Sequence, residues 1–247
     1  MDDGYQIMIE EFKKERILEA AKNWFREVIA PNHIQNTVKC SDPKELKINP
    51  FLVKYLARFL TGKTDALSIA KALILPRALG TSITTSFGEN AQKFLGEIRS
   101  SIGGSTTSGI DIEFVDQIDG KKKYCQLKLG PTTINKDDVE TINQHFASIK
   151  RLAQKNHLPL DINQMIVGVL YGERSDLSAN YKNIEKKHHY PVYAGKEFWE
   201  RLTGSDQFYN DLGTAISEVA LEFDSSHLLD DTIKKLAETS EIKNIAD

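Results

Sequence analysis

Two short segments of the chain hold side chains that could do chemistry together. In residues 109–114 (GIDIEF), Asp111 and Glu113 alternate with Ile110, Ile112 and Phe114. In residues 124–130 (YCQLKLG), Gln126 and Lys128 alternate with Cys125, Leu127 and Leu129. Strict alternation marks half-buried strands, and Asp119-Gly120 between them is a hairpin-turn signal. Because side chains alternate across a strand, the hairpin sends its apolar residues to one face and gathers Asp111, Glu113, Gln126 and Lys128 on the other. Charges removed from water need partners or a metal. Two carboxylates, an amide and an ammonium suit phosphodiester hydrolysis. Oxygen ligands hold Mg²⁺, which activates water and stabilises charge on the phosphate, and a lysine orients the water and neutralises developing charge. Any Asp and Lys on adjacent strands can instead form an exposed cross-strand bridge. The joint occurrence of D-x-E, a turn and Q-x-K, followed by Gly130-Pro131 and a helix start, favours the site.

The elements around the hairpin are consistent with that use. A helical stripe from Glu10 to Ile29 runs through Ile17, Ala21, Trp24 and Val28 and is punctuated by Pro31;. A second helix starts at Asn49-Pro50 and ends at Gly62. A third begins at Thr64 or Asp65 and stops before Pro76, and a fourth spans Ser86 to Ser100;. After the hairpin, Asn135 to Asp138 starts a helix that continues to about Lys155. Gln164–Tyr171 is a continuously apolar strand, hence central, and Tyr190–Ala194 is a weaker one. The remainder reads helical. This order predicts an α/β fold with a mixed central sheet, helices on both faces and an added N-terminal helical region. The expected division is 1–80 for that region (dimerisation or DNA embrace), 81–205 for the core and 206–247 for helices packed on it.

Composition is that of a globular protein, with 40% hydrophobic and 27% charged residues and a net charge of −3;. The acidic balance does not exclude a nucleic-acid partner, since a local basic surface can coexist with it. No apolar run is read as long enough to span a bilayer, and the first residues lack a secretory pattern. With only two cysteines, Cys40 and Cys125, a reduced cytoplasmic protein without a membrane partner is expected.

The run Gly109-Ile110-Asp111, a turn, then Gln126-Leu127-Lys128 resembles the motif of PD-(D/E)XK nucleases. Ile110 stands at the proline position and Gln126 where the pattern has Asp or Glu. The segments PRALGTSITTSFGENAQKF, IVGVLYGERSDLS and YPVYAGKEFWERLTG resemble a small family of type II restriction endonucleases that cut interrupted GG-N-CC palindromes. The resemblance implies a restriction-endonuclease-like core and a homodimer. It also implies double-stranded DNA as substrate, 5′-phosphate ends, and a cognate DNA methyltransferase as genetic partner. Asp111 would be the main metal ligand, Gln126 a neutral one and the Leu127 carbonyl a third, with Mg²⁺ bound and Mn²⁺ able to substitute. Lys128 would be catalytic, and Glu113 auxiliary. A helix glutamate near the metal is a further family feature. Family spacing favours Glu89, whereas the helical wheel sets Glu97 beside the apolar face and Glu89 nearly opposite it.

DNA contacts are expected from two segments. Thr132, Thr133, Asn135 and Lys136 join a strand end to a helix N-terminus, which suits phosphate. In the polar loop 173–187, Arg174, Asn180, Lys182 and Asn183 are candidate base readers. The Lys121–Lys123 run reads as a solvated tip. His188-His189 lacks metal spacing, and His145 and His157 receive no role. Two rival readings stand: a repair or junction nuclease of the same fold, and a non-catalytic DNA-binding module in which Gln126 marks a decayed site.

Overall fold

The computed structural model describes residues 3–223 and 225–246. The helices are α1 (Asp3–Trp24), α2 (Ala30–Lys39), α3 (Val53–Thr61), α4 (Ala66–Pro76), α5 (Ile83–Glu89), α6 (Ala91–Ile102), α7 (Lys136–Lys155), α8 (Ala179–Asn183), α9 (Lys196–Thr203), α10 (Phe208–Ala220), α11 (Ser226–Ala237) and α12 (Ser240–Ala246). The strands are β1 (Ile112–Val115), β2 (Lys122–Lys128), β3 (Met165–Val169) and β4 (Val192–Ala194). They form one mixed sheet in the order β1-β2-β3-β4. β1 is antiparallel to β2, while β3 runs parallel to β2 and β4 parallel to β3. The predicted α/β class, mixed sheet and N-terminal helices are all present.

The chain divides into two compact units: Met1–Lys22 with Gln92–Ile216, and Asn23–Ala91 with Ser217–Asp247. Both are assembled from separate stretches, whereas the sequence reading drew boundaries at 80/81 and 205/206. A division made by packing need not be contiguous in the chain.

In the first unit, one face of the sheet is covered by α7 and α8. Val139, Ile142, Phe146 and Ile149 of α7 share a buried cluster with Met165, Val167, Val169 and Val192. The other face meets α9, where the Phe198 ring lies so close to Gly168 that a Cβ there would sit 2.3 Å away. Apolar residues on both sides explain why β3 is buried along its whole length;. The second unit is helical, and its core joins Val53 and Ala57 of α3, Ile69, Ala70 and Ile74 of α4, and Ile233, Leu236 and Ile242 of the C-terminal helices.

Neither proline stops its helix as expected. Phe25–Ile29 and Arg77–Ser82 are π-helical, placed just before Pro31 and just after Pro76. Proline removes a donor and crowds the carbonyl four residues back, and at Pro31 the wider turn that includes that carbonyl absorbs both effects;. The continuous helix Ala66–Glu89 is therefore long and apolar enough, by length and composition, to cross a membrane. The sequence reading counted no such run. Its Ile69, Ala70, Ile74 and Ala78 are buried in the core of the second unit. The single helix expected from Ser86 to Ser100 is broken at Asn90, between α5 and α6.

Candidate active site

The register Ile112↔Cys125 and Glu113↔Tyr124 sets Asp111 opposite Gln126. Opposed residues share a face, so Asp111, Glu113, Gln126 and Lys128 lie on the α7 side, as the alternation predicted. The connection is longer than the two-residue turn expected. Asp116 N donates to Lys121 O at 3.0 Å, Gly120 N donates to Asp116 O at 2.8 Å, and Gly120 takes a positive φ of 67°.

Asp111 lies just before β1, and its N–H still donates to Cys125 O of β2 at 3.0 Å. Its carboxylate takes over the edge: Leu127 N donates to Asp111 Oδ2 at 2.7 Å. Its other oxygen is 2.8 Å from the Arg99 guanidinium of α6. A strand residue presents its N–H and C=O to the same neighbour, so the Leu127 carbonyl projects along the same open edge as Asp111.

Gln126 is buried. Its amide nitrogen donates to Gly109 O and to His145 Nδ1 of α7, both at 2.5 Å. The acceptor role assigns the His145 proton to Nε2. A planar amide with its nitrogen so engaged turns Oε1 away from both partners. Gly109 is required here twice over: its φ is 78°, and an added Cβ would meet the His145 ring at 2.5 Å. Sequence reasoning assigned His145 no role, and nothing in helix spacing reveals a partner on a neighbouring strand.

Lys128, at the end of β2, approaches Asp138 Oδ1 at 3.4 Å, with both side chains partly exposed. Asp138 also closes a capping box with Asn135 at the start of α7, each side chain accepting the other's backbone N–H at 2.9 Å. The α7 N-terminus is thereby tied to the end of β2. Thr133 is held in the same turn, its hydroxyl donating to Gly130 O at 2.9 Å. Thr132, Asn135 and Lys136 are exposed beside it.

Glu113 shares the face but is fully engaged. Ser105 and Thr107 donate to Oε1 at 2.6 and 2.7 Å, and Lys122 pairs with Oε2 at 2.6 Å. Burial pushes its carboxyl up, but the bonds from Lys122, Ser105 and Thr107 outweigh this and bring it down to about 2. It holds the 105–107 loop on β1. Glu89, exposed at the end of α5, belongs to the second unit, and Glu97 is exposed on α6. The α6 residue that meets Asp111 is Arg99.

In the loop after β3, Arg174 pairs with Glu185 at 2.7 Å and donates to Val192 O at 3.1 Å. Asn180 donates to Ile134 O at 2.9 Å. Both pin the loop, while Lys182 is exposed and Asn183 half-buried. The expected solvated tip at 121–123 needs correction at one position. Lys123 is wholly buried, 3.5 Å from Asp116 and 2.5 Å from Asp119, because the Phe114↔Lys123 register directs it to the inner face.

The Asp111 carboxylate, the Gln126 amide oxygen and the Leu127 carbonyl are all oxygen donors, the kind of atom that suits a hard divalent cation. A family model, type II restriction endonuclease EcoO109I, matches residues 46–224, well over half of the 247 residues. The chain belongs to that restriction endonuclease family. Among individually curated proteins, none matches significantly. Family membership makes this chain a type II restriction endonuclease, an enzyme class that acts on DNA and generally uses divalent metal ions.

Proposed function

We propose that the chain is a Mg²⁺-dependent endonuclease that cuts both strands of a palindromic DNA site as a homodimer and leaves 5′-phosphate ends. The observation that carries this reading is the strand edge at which Asp111 meets the Leu127 backbone, on the sheet face that Gln126 and Lys128 share. When bound, the cation supplies charge stabilisation at the scissile phosphate and a more acidic water. Asp111, Gln126 and the Leu127 carbonyl hold it; Mn²⁺ satisfies the same oxygens. Lys128 orients the attacking water, which bonds to phosphorus as the 3′ oxygen leaves. His145 and Gly109 position the Gln126 amide. Glu113 acts at one remove, through the loop it anchors, and Glu89 stays an auxiliary candidate from the helical unit.

Phosphate contacts are assigned to Thr132, Thr133, Asn135 and Lys136 at the start of α7. Arg174 and Asn180 shape the loop that carries Lys182 and Asn183 towards base edges. An interrupted GG-N-CC sequence is the expected site, and a methyltransferase that protects it is the expected genetic partner.

The dimer reading is supported by α3. Phe51, Tyr55 and Phe59 are 91%, 65% and 80% exposed, and Leu52, Leu56 and Leu60 are also exposed along this segment. With 150–250 Å² per aromatic side chain, the three rings alone offer roughly 350–600 Å² per copy, and the leucines bring the face towards the ~800 Å² per partner of a standard interface. An exposed apolar face of that size suits the two-fold pairing that a palindrome demands;.

Digestion of unmethylated and methylated plasmid DNA with Mg²⁺ or EDTA tests the reading. Discrete bands that need Mg²⁺ are expected, and their ends give the site. Binding without cutting in either Mg²⁺ or Mn²⁺ would favour the decayed-site alternative, for which the neutral Gln126 is the specific motive. Cutting governed by branch structure rather than sequence would favour a repair or junction nuclease.

A further inference from the structure

We propose that Arg99 is a phosphate-binding residue that, before DNA arrives, occupies the place of the cation at Asp111. This rests on the reading of Asp111 as a metal ligand.

Three observations carry it. The Arg99 guanidinium sits 2.8 Å from Asp111 Oδ1. With Leu127 N on the other oxygen, both oxygens of that carboxylate are in use in the DNA-free protein. Second, Arg99 Nε is buried and has no hydrogen-bond partner among the described residues. A buried donor left unpaired is costly, and this one lies on the guanidinium that touches Asp111. Third, the site holds no carboxylate where the motif pattern has its second one, since Gln126 is neutral. Asp111 is thus the one anionic member of the ligand set, and it cannot serve a guanidinium and a divalent cation equally well at short range.

Arginine presents a planar fork that matches phosphate, and it is the residue type most suited to exchange a carboxylate for a phosphate oxygen. With DNA in the site, the scissile phosphate supplies the acceptor that Nε lacks and draws the guanidinium off Asp111. The carboxylate is then free for the cation. Metal and DNA binding therefore favour one another through Arg99, and reciprocity is obligatory in such a linkage. The DNA-free protein binds divalent metal weakly, and the cation is recruited with the substrate.

The experiment measures Mn²⁺ binding by electron paramagnetic resonance in DNA-free wild type, R99Q, R99K, D111A and R99Q/D111A. It adds single-turnover plasmid cleavage in Mg²⁺. R99Q should bind Mn²⁺ about tenfold or more tightly than wild type, because a competing cation has gone. Its cleavage should fall on the order of 100-fold, as when a charge-stabilising donor is removed. R99K, which keeps the charge and loses the fork, should stay near wild type in Mn²⁺ affinity yet cleave slowly, and it serves if R99Q folds poorly. Unchanged or weaker Mn²⁺ binding in R99Q, or undiminished cleavage, overturns the proposal. If R99Q/D111A binds Mn²⁺ as tightly as R99Q, the assignment of Asp111 as ligand is what fails.

Discussion

The two ends of the β1–β2 hairpin carry the same kinds of side chain and treat them in opposite ways. At the turn end, Asp116 and Lys123 are both wholly buried and complete each other with Asp119 and Arg201, the last 2.8 Å from Asp116. Asp116 also accepts from Ile118 N at 2.9 Å, so the loop is built around that carboxylate. At the open end, Asp111, Lys128 and Arg99 remain partly exposed, and the Lys128–Asp138 pair is long at 3.4 Å. A closed network fixes a shape. A network with loose pairings and partly exposed members keeps its charges available to something that arrives from outside.

Substitutions at the two ends should therefore fail in different ways. Lys128→Ala should reduce cleavage on the order of 10³-fold, by analogy with loss of a charge-stabilising donor, and leave the melting temperature nearly unchanged. Asp116→Ala should cost about 3–5 kcal/mol of stability, since it removes the buried carboxylate that Arg201, Lys123 and the Ile118 N–H share;. Activity per folded molecule should be retained. Cleavage kinetics beside thermal melts test the pair, and a reversal of the two phenotypes would dissolve the distinction.

Glu113 lies between the two ends, and its effect should be smaller. Its carboxyl is held at about 2, below its ordinary 4.5. The stability it contributes is therefore complete above about pH 4.5 and is lost as pH falls towards 2. It amounts to no more than about 3 kcal/mol by the usual conversion of such a shift. Glu113→Gln should lower stability at pH 7 and flatten the acid limb of denaturant melts followed from pH 6 to pH 2. An unchanged limb would remove Glu113 from the set of built-in charges. The smallest effect should come from His145→Ala. Removing an outer partner of a ligand typically costs 10–100-fold in metal affinity or activity, and a rise in the Mg²⁺ needed for half-maximal cleavage is the expected sign. His145→Gln should restore part of it.

Much of this contrast was legible in the residue order. Alternation placed Asp111, Glu113, Gln126 and Lys128 on one face, and the Asn135–Asp138 start of α7 fell where its capping box lies. These features depend on residues close in sequence or on one strand pairing. What was hidden depends on packing between distant elements. Arg99 and His145 reach the site from helices whose own periodicity says only which side is apolar. Lys123 looked like one of three solvated lysines because its partners Asp116, Asp119 and the Asn163 carbonyl meet it only after the loop and the start of β3 have folded. The π-helical turns beside Pro31 and Pro76 were hidden for a different reason: proline is a dependable stop signal only when the helix on either side has nothing to pack against, and here it has.

The helical unit has a consequence for the order in which the chain is made. Its core includes Ile233, Leu236 and Ile242 beside Val53, Ala57 and Ile69. The sheet and α7, by contrast, draw their shared cluster from residues 110 to 194. During synthesis the nuclease core can close while the last stretch is still inside the ribosome, whereas α3 waits for that stretch before its inner face has a complete seat. Truncation after α10 should therefore spare β1 and β2 and unseat the apolar surface on α3.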